Sequence, residues 1–269
     1  MLTTEKADDA ARMLGGAAAR RERIEELPVH LRPVDLDEAY QVQSALIGQS
    51  KEEILGLKIA ATSRAGQAHI GIDHPISGQL MSSQVVMPGD TADMHGNLMQ
   101  AAEAEFVFEF TSAVMPRAEP YSWQEVMTYV GHLRLGIEIP DSRYRNFSSV
   151  GATQLIADNA CAYLFVLGPR VQAEWRVDDL SCRPARLVMD GKEVTRGSGA
   201  DALGDPRFAL TWLVNHLSGR GLGIQPGQFV TTGVCGDPAD LDGARQVVAD
   251  FGDFGSVEIG LSYSDEARN

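Results

Sequence analysis

The run AEAEFVFEF at 102–110 constrains this chain more than any other stretch. A strand repeats every two residues, so Glu103, Glu105, Val107 and Glu109 share one face while Phe106, Phe108 and Phe110 take the other. Two carboxylates on one face repel unless that face is solvated or a cation lies between them. Solvated antiparallel strands have the same pattern, so the pair alone leaves both readings open. Glu138 adds to the case. It sits between Ile137 and Ile139 in LRLGIEIP, where a bare carboxylate is costly to bury and needs a cation, a hydrogen-bonded partner such as an arginine, or a raised pKa. Three carboxylates in apolar company point to a divalent metal, because hard cations such as Mg²⁺ prefer carboxylate oxygens.

Composition excludes several classes. A net charge of -14 and a pI near 4.8 leave no basic face for a nucleic-acid backbone. The same charge repels organic anions at long range, so a site for them must supply local positive charge. That requirement points to Lys58, which lies inside the apolar run EEILGLKIAATS. It is either an edge-strand gatekeeper, a snorkelling side chain, or a cation beside a substrate. Cys161, Cys182 and Cys235 are widely spaced and form neither a disulfide framework nor a zinc motif. No apolar run is long enough to span a bilayer. The first residues read as a charged helix rather than a secretory signal, so a cytoplasmic location is the default expectation.

Along the chain, the spacing predicts a first helix over about 3–26 and a second after Asp35, opened by a D-x-x-E capping box with Glu38. A strand carrying Lys58 follows, then a short helix at RAGQAHI stopped by Gly71. Residues 122–133 read as a helix opened by Ser122 and Glu125. LRLGIEIP, ADNACAYLFVLGP and RPARLVMDGKEVTRG read as strand-rich, the last with a hairpin at Asp190-Gly191, and 206–219 as an amphipathic helix. Strands dominate from residue 54 onward without βαβ alternation. The expected fold is therefore α+β, a rolled mixed sheet behind a helical cap over 1–55, with a β-rich catalytic unit over 56–269. No glycine-rich nucleotide fingerprint is present.

Seven blocks in order, GLKIAATS, GIDHPISGQL, AEAEFVFEF, EIPDSRYRNF, ADNACAYLFVLG, ALGDPRFALTWLVNHL and PGQFVTTG, resemble the 2-keto-4-pentenoate hydratase and 4-oxalocrotonate decarboxylase family of the fumarylacetoacetate hydrolase superfamily. The resemblance spans about 28–262. It implies the superfamily's rolled β fold and a catalytic Mg²⁺ or Mn²⁺ on Glu103, Glu105 and Glu138, with Lys58 as the active-site lysine. It places Asp158 and Asn159 in contact with substrate or with the metal's ligands, and Asp141 and Arg143 in the loop after Glu138. The implied chemistry is metal-dependent hydration of a 2-hydroxy-alkadienoate, a small 2-oxo acid in aromatic breakdown. The alternatives are decarboxylation of a 4-oxalocrotonate type, C–C cleavage of an acylpyruvate, or a partner subunit without activity. A homo-oligomer is implied, with association to a pathway decarboxylase or hydratase as a further expectation. One departure stands out. The family's hydratases carry P-D-F-G where this chain has Pro75-Ile76-Ser77-Gly78, which leaves Ser77 and His74 as the polar groups near the missing acid.

Overall fold

The computed structural model describes residues 2–263 of the chain. Helix α1 (Thr4–Ala19) buries Ala7, Ala10, Ala11, Leu14 and Ala17 along one stripe. It ends seven residues short of the expected 26. Arg21 takes a left-handed φ of 54°, and Arg21 N and Glu22 N close back onto Ala18 O and Ala17 O at 3.1 and 2.8 Å. This is a Schellman closure built on arginine instead of glycine, which hides it from a sequence reading. Beyond it the chain runs extended, and Ile24 bridges to Tyr144. Helix α2 (Leu36–Ser50) opens as expected, with Asp35 accepting from Glu38 N at 2.9 Å. The Glu38 carboxylate accepts from Val34 N and Leu2 N at 3.0 and 2.6 Å, tying the starts of the two helices together.

The remaining elements are β1 (Ile54–Ala60), α3 (Arg64–Ile70), β2 (Ile76–Met81), β3 (Val85–Val86), β4 (Thr91–Asp93), β5 (Ala101–Phe110), α4 (Trp123–Tyr129), β6 (Val130–Ile139), α5 (Ala152–Ala157), β7 (Leu164–Arg170), β8 (Pro184–Met189), β9 (Lys192–Ser198), α6 (Pro206–Gly219), β10 (Phe229–Val234), β11 (Ala239–Asp240), β12 (Gln246–Asp250) and β13 (Ser256–Ser262). One mixed sheet runs β2-β1-β10-β5-β6-β7-β3, with β11 added to β5, and the second runs β4-β13-β12-β8-β9. Pairs β1/β10, β3/β7 and β4/β13 are parallel. The architecture is the expected α+β arrangement of curled mixed sheets. The last six residues of the expected β-rich unit, 264–269, lie outside the described residues.

The aromatic face of β5 forms the core between the sheets. Phe106 meets Phe251 edge-on at 5.0 Å between ring centroids, and Phe108 packs on Trp175 at 6.1 Å. The helical pair α1/α2 buries a separate apolar cluster with Leu27, Leu31, Tyr144, Val150 and Leu155. Two further expectations need correction. Helix α4 stops at Tyr129, because the chain from Val130 joins β6, where Leu133 and Leu135 are buried with a period of two. The ADNAC stretch is a tight turn rather than strand, with Asn159, Ala160 and Cys161 all left-handed at φ 56°, 50° and 60°. The hairpin at Asp190-Gly191 forms with both residues at positive φ, 48° and 82°, as its twist requires. Among the described residues no helix is long and apolar enough to cross a membrane.

Candidate metal centre and adjoining cavity

Strands β5 and β6 pair antiparallel with Glu103 opposite Glu138 and Glu105 opposite Gly136, so parity puts all three carboxylates on one face. One oxygen from each lies within 4.8 Å of the other two. Glu105 and Glu138 are fully buried and Glu103 is half-buried. The fourth acid of the row, Glu109, lies beyond Val107 and is held by Arg134 at 2.5 Å and Arg170 at 2.6 Å, which makes it structural. Lys58 reaches in from β1, its Nζ 2.5 Å from Glu138 Oε1 and donating to Ala160 O at 2.9 Å. The left-handed turn therefore has a purpose in the site: it aims a carbonyl at the lysine. Gly78 permits the approach, since a Cβ there would lie 2.4 Å from Asn159 O. Gly233 N donates to Glu105 Oε2 at 2.8 Å.

Burial, reinforced by Glu138, pushes the Glu103 carboxyl up to about 7 against the pull of Lys58. Burial and the other two acids push Glu105 well above the usual carboxylate range. Burial opposes the charge on Lys58, but Glu138 and Glu103 outweigh it, and its pKa rises. Glu105 Oε1 and Glu138 Oε2 are buried with no hydrogen-bond donor. With all three carboxylates ionised against one ammonium, two negative charges would lack a counterion. A hard divalent cation fits that deficit in charge and in donor type, and it accounts for the orphaned oxygens.

Lys58 and Glu103 border a cavity of about 370 Å³, walled by Ile70, Ile76, Phe147 and Leu155 and rimmed by His69 and Asp237. Cys161 also borders it, its thiol pushed up to about 12 by burial and by Asp158. No residue of α1 or α2 lines this cavity.

The other residues singled out from sequence do not border it. Ser77 follows Ile76 on β2, so when Ile76 faces the cavity Ser77 points away. Its N and Oγ both donate to the Tyr40 hydroxyl, at 3.0 and 3.3 Å. His74 turns its Nδ1 to Pro75 O at 2.8 Å. Asn159 clamps β2, accepting from Gln79 N and donating to Gln79 O, each at 2.8 Å. Asp158 is buried and accepts from Ser142 Oγ at 2.7 Å and Arg143 N at 2.9 Å, and it is also paired with the Arg143 guanidinium. These bonds hold the loop that leaves Glu138. Asp141 braces the same loop through Arg23 at 2.6 Å. Asp158→Asn, which leaves Arg143 with a buried charge and no carboxylate, is expected to cost about 3–5 kcal/mol. Chemical denaturation reads this directly, and an unchanged midpoint would contradict the bracing role. Two groups escaped the sequence reading, the Ala160 carbonyl and the Gly233 amide. Both act through backbone, and only the glycine in PGQFVTTG could have hinted at one of them.

No family model matches the chain. It is 30% identical over 217 residues to a 2-keto-4-pentenoate hydratase of Burkholderia vietnamiensis, spanning 81% of each chain. It is 33% identical to a 4-oxalocrotonate decarboxylase of Pseudomonas sp. strain CF600, over 73% of this chain and 74% of that one. The solved 4-oxalocrotonate decarboxylase from Pseudomonas putida G7, complexed with magnesium and adipate, superposes with a TM-score of 0.87 at 25% identity, over 97% of this chain and 99% of that one. The fold is shared more widely, with a 5-carboxymethyl-2-hydroxymuconate delta-isomerase from Mycobacterium smegmatis matching at a TM-score of 0.60 and 13% identity, over 80% of this chain and 82% of that one. The chain belongs to the family of 2-keto-4-pentenoate hydratases and 4-oxalocrotonate decarboxylases, within the fumarylacetoacetate hydrolase superfamily.

Proposed function

We propose that the protein is a metal-dependent hydro-lyase acting on a 2-hydroxy-alkadienoate or related unsaturated 2-oxo acid in aromatic catabolism. The observation that carries this reading is the set of three carboxylates, two of them buried, that meets a cavity with apolar walls through Glu103 and Lys58. Glu103, Glu105 and Glu138 would hold Mg²⁺ or Mn²⁺, which supplies Lewis-acid stabilisation to negative charge developing on a 2-oxo acid. The protein's own groups do the rest. Lys58, kept protonated by Glu138 and Glu103 and oriented by Ala160 O, offers a proton or a fixed positive charge beside the C2 oxygen. Gly233 N fixes the rotamer of Glu105. Ile76, Phe147 and Leu155 exclude bulk water and suit an apolar tail.

One observation favours a second reading, decarboxylation of a 2-oxo-enedioate. Ile76 faces the cavity from the β2 position where the resemblance leads one to expect an acid that handles water. Homo-oligomeric assembly and association with a pathway partner belong to the proposal as readings carried from the family, and cytoplasmic location as the default reading of the sequence. The test is turnover of 2-hydroxypenta-2,4-dienoate and 2-oxo-hex-3-enedioate, each with and without Mg²⁺, with products weighed by mass spectrometry. Addition of water to the dienoate, dependent on Mg²⁺, is the expected result. Loss of CO₂ from the enedioate without any hydration would replace it with the second reading.

A further inference from the structure

If water is added at the far end of the substrate, some group on the cavity wall must accept its proton, and most candidates are already committed. The Cys161 thiol, pushed up to about 12, stays protonated at neutral pH. Ser63 Oγ accepts from Gly66 N at 3.0 Å as the cap of α3. The Thr62 hydroxyl is enclosed against Gly233. Lys58 is bound to Glu138 and Ala160. Two titratable side chains remain on the rim, His69 and Asp237.

His69 is the better placed. Ala65, Gly66, His69 and Ile70 follow an i, i+1, i+4, i+5 spacing, which puts them on one face of α3, and all four border the cavity. No hydrogen bond or ion pair engages its ring among the described residues. His69 is an exposed residue at the cavity mouth, and the apolar part of the cavity lining includes Ile70, Ile76, Phe147 and Leu155. Both ring nitrogens are therefore open to a water in the cavity mouth, and among the described residues Lys58 is the one Lys or Arg in the cavity lining.

We propose that His69 is the acid–base residue for the water that adds to the substrate's distal carbon. This inference rests on the hydratase reading above. As an O–H bond of water breaks, its proton passes to the imidazole and the hydroxyl oxygen bonds to C4 of the unsaturated 2-oxo acid. The C3–C4 π pair becomes the C2–C3 double bond, and the former carbonyl pair comes to rest on the C2 oxygen beside Lys58. A proton from solvent at C3 restores the 2-oxo group, and His69 releases its own proton to solvent, so one water is consumed.

The Mg²⁺-loaded full chain carrying His69→Gln is expected to lose about 10²–10⁴-fold in kcat on 2-hydroxypenta-2,4-dienoate, with KM changed by no more than a few-fold. The low-pH limb of its rate profile should disappear, and added imidazole should restore turnover to His69→Ala. The other charged or titratable groups facing the cavity are Lys58, Glu103, Cys161 and Asp237, and Arg64 lies on the same helix. Asp237→Asn, which keeps the histidine, should retain the limb. Since α3 has no buried residue, the fold survives these changes, and thermal melting checks that. A wild-type kcat in His69→Gln overturns the proposal. So does a variant whose only change is a raised KM for 2-oxo-hex-3-enedioate, which would make His69 an anchor for a distal carboxylate. Failure of the wild-type protein to hydrate the dienoate overturns both this inference and the reading beneath it, and it is seen before any variant is made.

Discussion

Glu105→Gln should abolish divalent-metal binding and lower turnover by about 10³-fold or more, while the metal-free protein melts no lower than wild type. The rate estimate follows from the several kcal/mol that a Lewis-acid metal supplies, at about 1.4 kcal/mol per decade. The stability expectation comes from the site itself. Glu105 is fully buried between like charges, and burial together with Glu138 and Glu103 holds its carboxyl in the neutral form well above the usual range. Glutamine matches that neutral form in shape, and its carbonyl can still accept from Gly233 N. Calorimetry with Mg²⁺, thermal melting and turnover read the three effects separately. Full activity in this variant would remove the metal from the account. Removing the metal from the wild-type protein should also create a pH slope. Because burial and Glu138 raise the Glu103 pKa from 4.5 to about 7, the folded state binds this proton more tightly than the unfolded state. Stability is then highest below pH 4.5 and falls as pH rises through about 7, a slope that saturating Mg²⁺ should flatten.

Lys58→Ala is the second large effect. Turnover should fall about 10²–10⁴-fold with Mg²⁺ affinity retained, because the ammonium acts on the substrate's developing charge or proton rather than on the metal's ligands. The metal-free variant should lose about 3–5 kcal/mol, since Glu138 is left buried without its cation. Mg²⁺ should recover much of that loss by replacing the missing charge, so the variant's melting temperature should respond to metal more strongly than wild type. Undiminished turnover would confine Lys58 to a scaffold role. Arginine is no substitute here, because a planar guanidinium cannot take the place of a compact ammonium between one carboxylate and one carbonyl.

The parts of this site that were legible in the sequence are those governed by strand parity. Glu103 and Glu105 announce a shared face, Glu138 stands out between isoleucines, and Lys58 stands out in an apolar run. The pairing of Glu103 with Glu138 brings them together in space. Parity was also the missing step for Ser77. Once Ile76 is known to face the cavity, Ser77 must turn toward Tyr40, but the sequence alone does not say which of the two faces in. The bonds of Asp158 and Asn159 could not be read from spacing, because their partners, Arg143 and Gln79, are set by the fold. The left-handed triplet Asn159-Ala160-Cys161 and the helix stop at Arg21 were invisible, since neither carries the glycine that usually marks such backbone. His69 needed the helix face of α3 and the cavity together before it could be singled out.

In the function proposed above, Glu103, Glu105 and Glu138 hold a catalytic divalent cation beside Lys58. Anomalous diffraction from crystals grown with Mn²⁺ tests it most directly. A single strong peak is expected among the three carboxylates, within coordinating reach of an oxygen of each, as suits a small hard cation. A peak elsewhere on the molecule, or none at full Mn²⁺ loading, would contradict it.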